Sequence, residues 1–176
     1  MERVMIFIDG SNLYHNLKQT FGRTDLNYYS FSQKLVGERQ LVRTYYYNCP
    51  VDSKNDPERH KQQQRFFDRL RNTPYLEVVL GRLQRKNDGR VIEKGVDVKL
   101  AVHILHKAYF NQYDVAILVS GDADFAGAVQ AVKDFGKHVE LAYFPGQKCY
   151  KLREVADRTI LINEDFVASC WINKES

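Results

Sequence analysis

The sequence predicts an α/β protein in which helices cover both faces of a largely parallel β-sheet, giving three layers, α/β/α. Short runs of β-branched and aromatic residues alternate along the chain with longer segments whose apolar residues recur every three or four positions. This alternation is typical of βαβ units, whose strands lie parallel and are buried on both faces. At 176 residues the chain has the length of about one domain. We therefore expect a single domain over residues 1–176, with the Rossmann-like strand order 3-2-1-4-5.

The first half of the chain predicts three strands and three helices. Residues 4–8 are consecutive apolar residues, typical of a buried strand, and Ser11 or Asn12 can cap a helix that follows it to about residue 21. Residues 41–47 are rich in β-branched and aromatic side chains, which favours a strand. The other elements of this half are a short helix at 30–36, an amphipathic helix at 58–71 and a strand at 76–83.

The second half begins with a polar, basic segment at 84–95, in which Asp88-Gly89 predicts a turn. Apolar residues at three- and four-residue spacing then share one face of a helix expected at 96–109. Residues 115–119 form the most apolar strand. The remaining elements are a helix that ends near residue 136, a strand at 139–144, a short helix at 150–155, a strand at 159–162 and a helical turn from residue 164.

Composition and missing motifs exclude several classes of protein. Apolar residues make up 44% of the chain and charged residues 27%, which is typical of a globular protein. No apolar run approaches the ~18 residues of a membrane span, and the run at 4–8 is too short for a signal peptide. The three cysteines are scattered, odd in number and without metal-ligand spacing, which argues against a disulfide framework and a zinc site and favours reduced thiols in a cytoplasmic protein. The glycine motifs of dinucleotide-binding proteins and P-loop NTPases are absent.

Acidic side chains lie at the ends of two strands that the predicted order makes neighbours. Asp9 comes directly after the first strand, and Asp122 and Asp124 come directly after the strand at 115–119. Ligands of open α/β sheets bind at this edge, beside the point where the strand order reverses. Asp97 begins the helix that leads into the second of these strands, and a right-handed crossover starts that helix at the same edge. We therefore expect four carboxylates from three segments to meet there.

Four clustered carboxylates call for a cation. Two like charges ~4 Å apart repel by about 4 kcal/mol at an effective dielectric constant of about 20, and a divalent cation reverses this cost. Carboxylate oxygens suit one or two Mg²⁺ or Mn²⁺ ions better than Zn²⁺. Ions held in this way activate water and neutralise the charge on a phosphate, so phosphodiester hydrolysis is the chemistry that fits best.

Three segments of the chain resemble the motifs of a known family. IFIDGSNLY at 6–14, EKGVDVKLAVHI at 93–104 and LVSGDADFAGAV at 118–129 are similar to the motifs of NYN-domain proteins of the PIN-like nuclease superfamily, in particular the LabA-like branch. The resemblance implies a PIN-like fold and a Mg²⁺- or Mn²⁺-dependent ribonuclease, and therefore RNA as the partner. It assigns metal binding to the residues that match the family's acids: Asp9, Asp97, Asp122 and Asp124. Asn12 matches the polar residue of the motif that follows the first acid, and the resemblance gives it a role in the site.

Further residues are candidates for holding the substrate. Ser11 and Ser120 lie in the same loops as the acids and are expected to position the acids or the substrate. Residues 82–94 carry five basic and two acidic side chains, a local charge of +3 within a chain of net charge +4. Phosphate contacts dominate the affinity of proteins for nucleic acid, so we expect Lys94, Arg90 and Arg85 to bind the backbone of a single-stranded RNA. The alternative is that this segment is a solvated loop.

Two other functions use the same residues. A non-catalytic NYN module that binds RNA or a protein in regulation would keep the fold and the acids. A phosphotransferase of the haloacid-dehalogenase type would use Asp9 as its nucleophile. That chemistry usually requires a second Asp two residues later, and this position is Ser11. The sequence is compatible with either a monomer or a homo-oligomer.

Overall fold

Parallel strands form the centre of the molecule, in the order that the sequence predicts. The computed structural model describes residues 1–173, and its strands are β1 (Arg3–Asp9), β2 (Gln40–Asn48), β3 (Leu76–Leu80), β4 (Arg82–Arg85), β5 (Val91–Lys94), β6 (Val115–Val119), β7 (His138–Tyr143) and β8 (Arg158–Leu161). Six of them form one sheet in the order β3-β2-β1-β6-β7-β8. All neighbours in this sheet are parallel, and its first five strands reproduce the predicted order 3-2-1-4-5.

Helices cover both faces of the sheet, which confirms the three-layer prediction. They are α1 (Gly10–Phe21), α2 (Tyr28–Val36), α3 (Pro57–Arg71), α4 (Val96–Tyr109), α5 (Ala126–Asp134), α6 (Tyr150–Val155) and α7 (Glu164–Val167), with a 3-10 turn at Ala123–Phe125. Within residues 1–173, no helix combines the length and the apolar character that crossing a membrane requires. The single domain expected over residues 1–176 includes 174–176, which lie outside the described residues, and it stays a prediction.

The central strand β1 shows how the two layers are held. Its side chains alternate between the faces of the sheet, as the pleat requires. Ile6 and Ile8 belong to a core formed with α1, α2, α3 and α7. Phe7 belongs to a second core formed with α4, α5 and α6. All three side chains are fully buried. Because β1 is buried on both faces, its carboxyl end has a fixed position at the edge of the sheet.

The predicted strand at 76–83 is wrong in its second half. The strand ends at Leu80, and Arg82 begins an antiparallel hairpin of β4 and β5 that was not expected in the basic segment. The strand ends here because its partner β2 ends at Asn48, opposite Leu80. Gly81 then lies so close to β5 that a Cβ atom would stand 2.7 Å from the backbone oxygen of Lys94. The chain leaves the main sheet at this close contact. Each hairpin strand has only four residues, too few for a pattern of alternation to reveal it.

Candidate active site

A cavity of about 590 Å³ lies at the edge of the sheet where β1 and β2 end and α4 begins. We call it the acid pocket, because three of the predicted acids line it. Its lining residues come from four separate segments of the chain: Asp9, Ser11, Asn12, His15, Asn16, Asn48, Glu93, Lys94, Gly95, Val96, Asp97, Val98 and Asp122. The sheet topology therefore brings together residues that are up to 113 positions apart, since Asp9 and Asp122 follow β1 and its neighbour β6.

Asp9 is the most buried acid of the pocket, with 8% of its surface exposed. One carboxylate oxygen accepts a hydrogen bond from the backbone N–H of Asn12 at 3.2 Å, which makes Asp9 the N-cap of α1. The prediction that Ser11 or Asn12 caps this helix is therefore wrong, because the helix begins earlier and the carboxylate of Asp9 accepts from the free backbone N–H of its first turn. The other oxygen accepts from the hydroxyl of Ser120 at 3.1 Å.

Burial and neighbouring charge both act on Asp9. Burial raises the pKa of its carboxyl group above the ordinary value, and the hydrogen bonds from Asn12 and Ser120 oppose this effect. The charges of Asp97 and Asp122 raise the pKa further. The ionised form of Asp9 is therefore costly in the protein alone, and a cation in the acid pocket would favour it.

Gly10 allows Asp9 to sit against the neighbouring strand. A Cβ atom at this position would overlap the ring of Tyr46 and would stand 2.7 Å from the backbone oxygen of Tyr47. Both tyrosines are buried in β2 and have no room to withdraw. The Asp-Gly pair is therefore a packing requirement of this corner of the pocket as well as part of the motif.

Asp97 and Asp122 reach the pocket from two other segments. Asp97 lies in the first turn of α4, where the helix dipole favours negative charge. It is exposed to solvent at the rim of the acid pocket. Partial burial of its carboxyl group raises the pKa, and the charges of Asp122 and Asp124 add to this. Asp122 caps the 3-10 turn after β6, with one oxygen accepting from the backbone N–H of Asp124 at 2.9 Å.

Asp124 is the one predicted acid that does not line the acid pocket in the described residues. Its side chain is exposed in the 3-10 turn. It is still close enough for its charge to raise the pKa of Asp97. The structure thus brings Asp9, Asp97 and Asp122 together and holds Asp124 just beyond them.

Ser120 and Asn12 connect the loops that carry the acids. The buried hydroxyl of Ser120 donates to Asp9 and accepts from the backbone N–H of Asp122 at 3.2 Å. The side-chain oxygen of Asn12 accepts from the backbone N–H of Gly121 at 3.2 Å and from Gln147 at 3.1 Å. With its oxygen used in this way, Asn12 joins α1 to the loops after β6 and β7.

Gln147 is a residue that the sequence interpretation missed. It follows β7, lies outside all three motifs and is 135 positions from Asn12, to which it donates. Its signal in the sequence is indirect: a Cβ atom on Gly121 would stand 2.8 Å from the side-chain carbon of Gln147, so the glycine of the Ser-Gly-Asp motif makes room for it. The lining residues His15, Asn16 and Asn48 were missed as well.

The predicted phosphate-binding residues divide into two groups. Lys94, the last residue of β5, lines the acid pocket, and so does Ser11. Arg85 instead forms an ion pair with Asp52 at 2.8 Å, and Arg90 forms one with Asp88 at 2.6 Å. Neither arginine lines the acid pocket.

The donors of the acid pocket suit a hard divalent cation. Within residues 1–173, no three His, Cys, Asp or Glu side chains are grouped closely enough to ligate one ion by themselves. Mg²⁺ commonly binds through one or two carboxylates and completes its shell with water and substrate phosphate. Asp9, Asp97 and Asp122 offer only oxygen donors, and their mutual repulsion is what such an ion would relieve. The pocket therefore fits Mg²⁺ or Mn²⁺ held partly by water.

Comparisons with known proteins agree with the fold and the motifs. Residues 3–163 match the family model described as NYN domain, as the three motifs led us to expect. The chain is 26% identical over 171 residues to Low amplitude and bright protein LabA from Synechococcus elongatus, covering 92% of this chain and 84% of that protein. The crystal structure of VPA0982 from Vibrio parahaemolyticus, a protein of unknown function, superimposes with a TM-score of 0.77 at 26% identity and covers 94% of this chain and 96% of that one.

Proposed function

We propose that this chain, which belongs to the NYN domain family of the PIN-like nuclease superfamily, is a Mg²⁺- or Mn²⁺-dependent ribonuclease that cleaves RNA internally. The observation that carries the proposal is that Asp9, Asp97 and Asp122 line one pocket although they come from three separate segments. In a parallel sheet this edge is the usual place for a ligand. A lysine at the rim adds a group that binds phosphate.

The residues have distinct roles in the proposed reaction. Asp9, Asp97 and Asp122 would hold one or two ions, and Asp124 would support them from outside the lining. The bound ion would supply an activated water and neutralise charge on the phosphate. Ser120 fixes the carboxylate of Asp9 by its hydrogen bond. Asn12 keeps the loops in register, while Ser11 contacts the RNA beside the acids. Lys94, with Arg85 and Arg90 farther out, binds the RNA backbone.

We also infer a cytoplasmic location and single-stranded RNA as the substrate. All three cysteines are free and buried, which suits a reducing compartment. The acid pocket is partly open to solvent, so a single strand would have access to it.

Cleavage of labelled single-stranded RNA tests the proposal. The protein is stripped with a chelator and then supplied with Mg²⁺ or Mn²⁺. We expect internal cleavage that depends on the metal and falls by about 100-fold or more in Asp9→Asn and Asp122→Asn, because even a residue that only supports a metal ligand is worth about 10- to 100-fold in activity. Asp134→Asn, an exposed acid at the far end of α5, is the matched control and should cleave normally. Cleavage at the wild-type rate in both pocket variants would overturn the proposal.

A non-catalytic RNA- or protein-binding module is the second candidate. The observation in its favour is that, among residues 1–173, no three acids already form a complete set of metal ligands. Such a module would bind RNA in a salt-dependent manner and release no product with any metal. The phosphotransferase alternative is disfavoured because both oxygens of Asp9 accept hydrogen bonds in a buried position.

A further inference from the structure

The hairpin of β4 and β5 carries two cations that face each other. Its register places Arg82 directly opposite Lys94, so both side chains project from the same face of the hairpin. Residues opposite each other in antiparallel strands have Cβ atoms about 5 Å apart, and like charges in such a pair destabilise the hairpin. Both residues are exposed. A repulsive pair of this kind is relieved when an anion binds between the two side chains.

The other cations of the hairpin are differently placed. Arg85 is neutralised by Asp52, and Arg90 by Asp88, both at ion-pair distance. Lys86 lies near the tip, where its backbone N–H bonds to Arg90. In the part of the chain that the structure describes, neither Arg82 nor Lys94 forms an ion pair. The hairpin therefore presents these two charges together and compensates the two arginines nearer its tip.

The base of the hairpin is fixed against the acid pocket. The backbone of Lys94 lies so close to Gly81 that no side chain fits there. The ammonium group of Lys99 in α4 donates to the backbone oxygen of Leu80 at 2.6 Å, which ties the start of the hairpin to the helix that carries Asp97. Lys94 lines the pocket, and Arg82 lies beside it just outside the lining. The pair thus has a defined position next to the acids.

We propose that Arg82 and Lys94 form a binding site for one phosphate of the RNA strand, next to the phosphate that is cleaved in the acid pocket. This inference rests on the proposed nuclease function for the identity of the strand. It adds Arg82, which the sequence interpretation did not select, and it makes Arg82 and Lys94 the principal backbone contacts in place of Arg85 and Arg90. The pair binds the phosphate without regard to base, so it positions the strand and gives no sequence preference.

Binding of a labelled single-stranded RNA, measured with a chelator present to prevent cleavage, tests the pair. The dissociation constant is followed against salt concentration for wild type, Arg82→Gln, Lys94→Gln and the double variant. Because the pair binds one phosphate, the double variant should lose about 0.7 from the slope of log K against log salt for a single strand, and each single variant should lose part of it. Arg43→Gln is the control with the same change in charge, because Arg43 is exposed in β2 and lies five residues before the pocket residue Asn48, about 16 Å along the strand.

Two measurements separate a lost contact from a damaged fold. In the absence of RNA, Arg82→Gln should melt at the same temperature as wild type or higher, because the repulsion with Lys94 is removed and Arg82 lies outside the acid pocket. Lower slopes in Arg82→Gln and Lys94→Gln with an unchanged slope in Arg43→Gln support the pair. Unchanged slopes in both hairpin variants, an equal fall in Arg43→Gln, or no RNA binding by wild type would overturn it.

The same samples distinguish this inference from the proposed function. If wild type cleaves RNA and the hairpin variants bind as tightly as wild type, the pair is wrong and the nuclease stands. If wild type binds RNA through the pair and cleaves none with either metal, the pair stands and the nuclease is wrong.

Discussion

The acid pocket and the hairpin of β4 and β5 are neighbours, but they differ in the sign of their charges and in how far those charges are exposed to solvent. In the pocket, Asp9 is buried and both its oxygens are hydrogen-bonded, so like charges are kept together by the rigid ends of parallel strands. In the hairpin, the cations are exposed, and Arg85 and Arg90 are neutralised by ion pairs. Burying the carboxylate of Asp9 costs free energy, whereas the cations of the hairpin lie exposed at the surface. This difference is what the proposed function requires, a cation in the acid pocket and an anionic strand along the hairpin.

The largest effect on stability is expected at Gly10, which lets the chain after Asp9 pack against β2. Gly10→Ala forces a methyl group against Tyr46 and the backbone of Tyr47 and should lower the free energy of unfolding by about 3 kcal/mol, as overpacking does. Gly127→Ala is the control, since its Cβ position has no neighbour within 4 Å apart from adjoining residues and the backbone of its own helix, and it should stabilise α5 by up to about 1 kcal/mol. Urea unfolding measures both. Equal stabilities for the two variants would show that Tyr46 and the backbone of Tyr47 can move away from a methyl group at this position.

Ser120 is expected to have the next largest effect. Ser120→Ala removes the hydroxyl that donates to Asp9 and accepts from the backbone N–H of Asp122, both partly or fully shielded from water. Leaving such groups unpaired should cost about 1–3 kcal/mol of unfolding free energy. The pKa of Asp9 should rise further, because the lost hydrogen bond favoured its ionised form. Carboxyl NMR titration of Asp9 checks this rise, and an unmoved pKa would contradict the role assigned to Ser120.

The convergence of Asp9, Asp97 and Asp122 could be predicted from the sequence, whereas the place of Asp124 outside the lining and the surroundings of the acids could not. Asp9 and Asp122 follow apolar strands, and the rules of parallel sheets alone bring the ends of such strands together. The side chain of Gln147 is hydrogen-bonded to Asn12, 135 positions away, and that of Arg85 to Asp52, 33 positions away. No periodic pattern in the sequence predicts either contact. The hairpin itself is hidden because its strands are short and polar and because β3 ends where its partner β2 ends, at Asn48.

A smaller effect is expected in the pH dependence of the metal-free protein. Asp9 has a raised pKa in the folded state, so its contribution to stability is fully present below the unfolded pKa, near 3.8, and is lost as the pH rises through the folded value. Asp9→Asn imitates the protonated form and should therefore be more stable than wild type at pH 7. The difference should vanish below pH 3.8. Thermal melts across pH measure it, with Asp134→Asn as the control, and a constant difference at all pH values would contradict the assignment.

Divalent cation should act on the same group in the opposite direction. If Mg²⁺ or Mn²⁺ binds beside Asp9, it favours the ionised carboxylate. The melting temperature of wild type at pH 7 should then rise with increasing metal concentration, as it does for a ligand that binds only the folded state. Asp9→Asn should show little of this rise. Equal stabilisation of both proteins by the metal would mean that the ion binds elsewhere.

The smallest effect is expected at the ion pair that keeps Arg85 neutral. Asp52→Asn removes a partner whose side chain is 14% exposed from an arginine that is 46% exposed, so the free energy of unfolding should fall by no more than about 1 kcal/mol. The released guanidinium would then be available to the RNA strand beside Arg82 and Lys94. The salt slope for RNA binding should therefore steepen by about 0.7, the reverse of the change in the double variant of Arg82 and Lys94. An unchanged slope would mean that the strand does not pass this side of the hairpin and would limit the contact to the pair at its base.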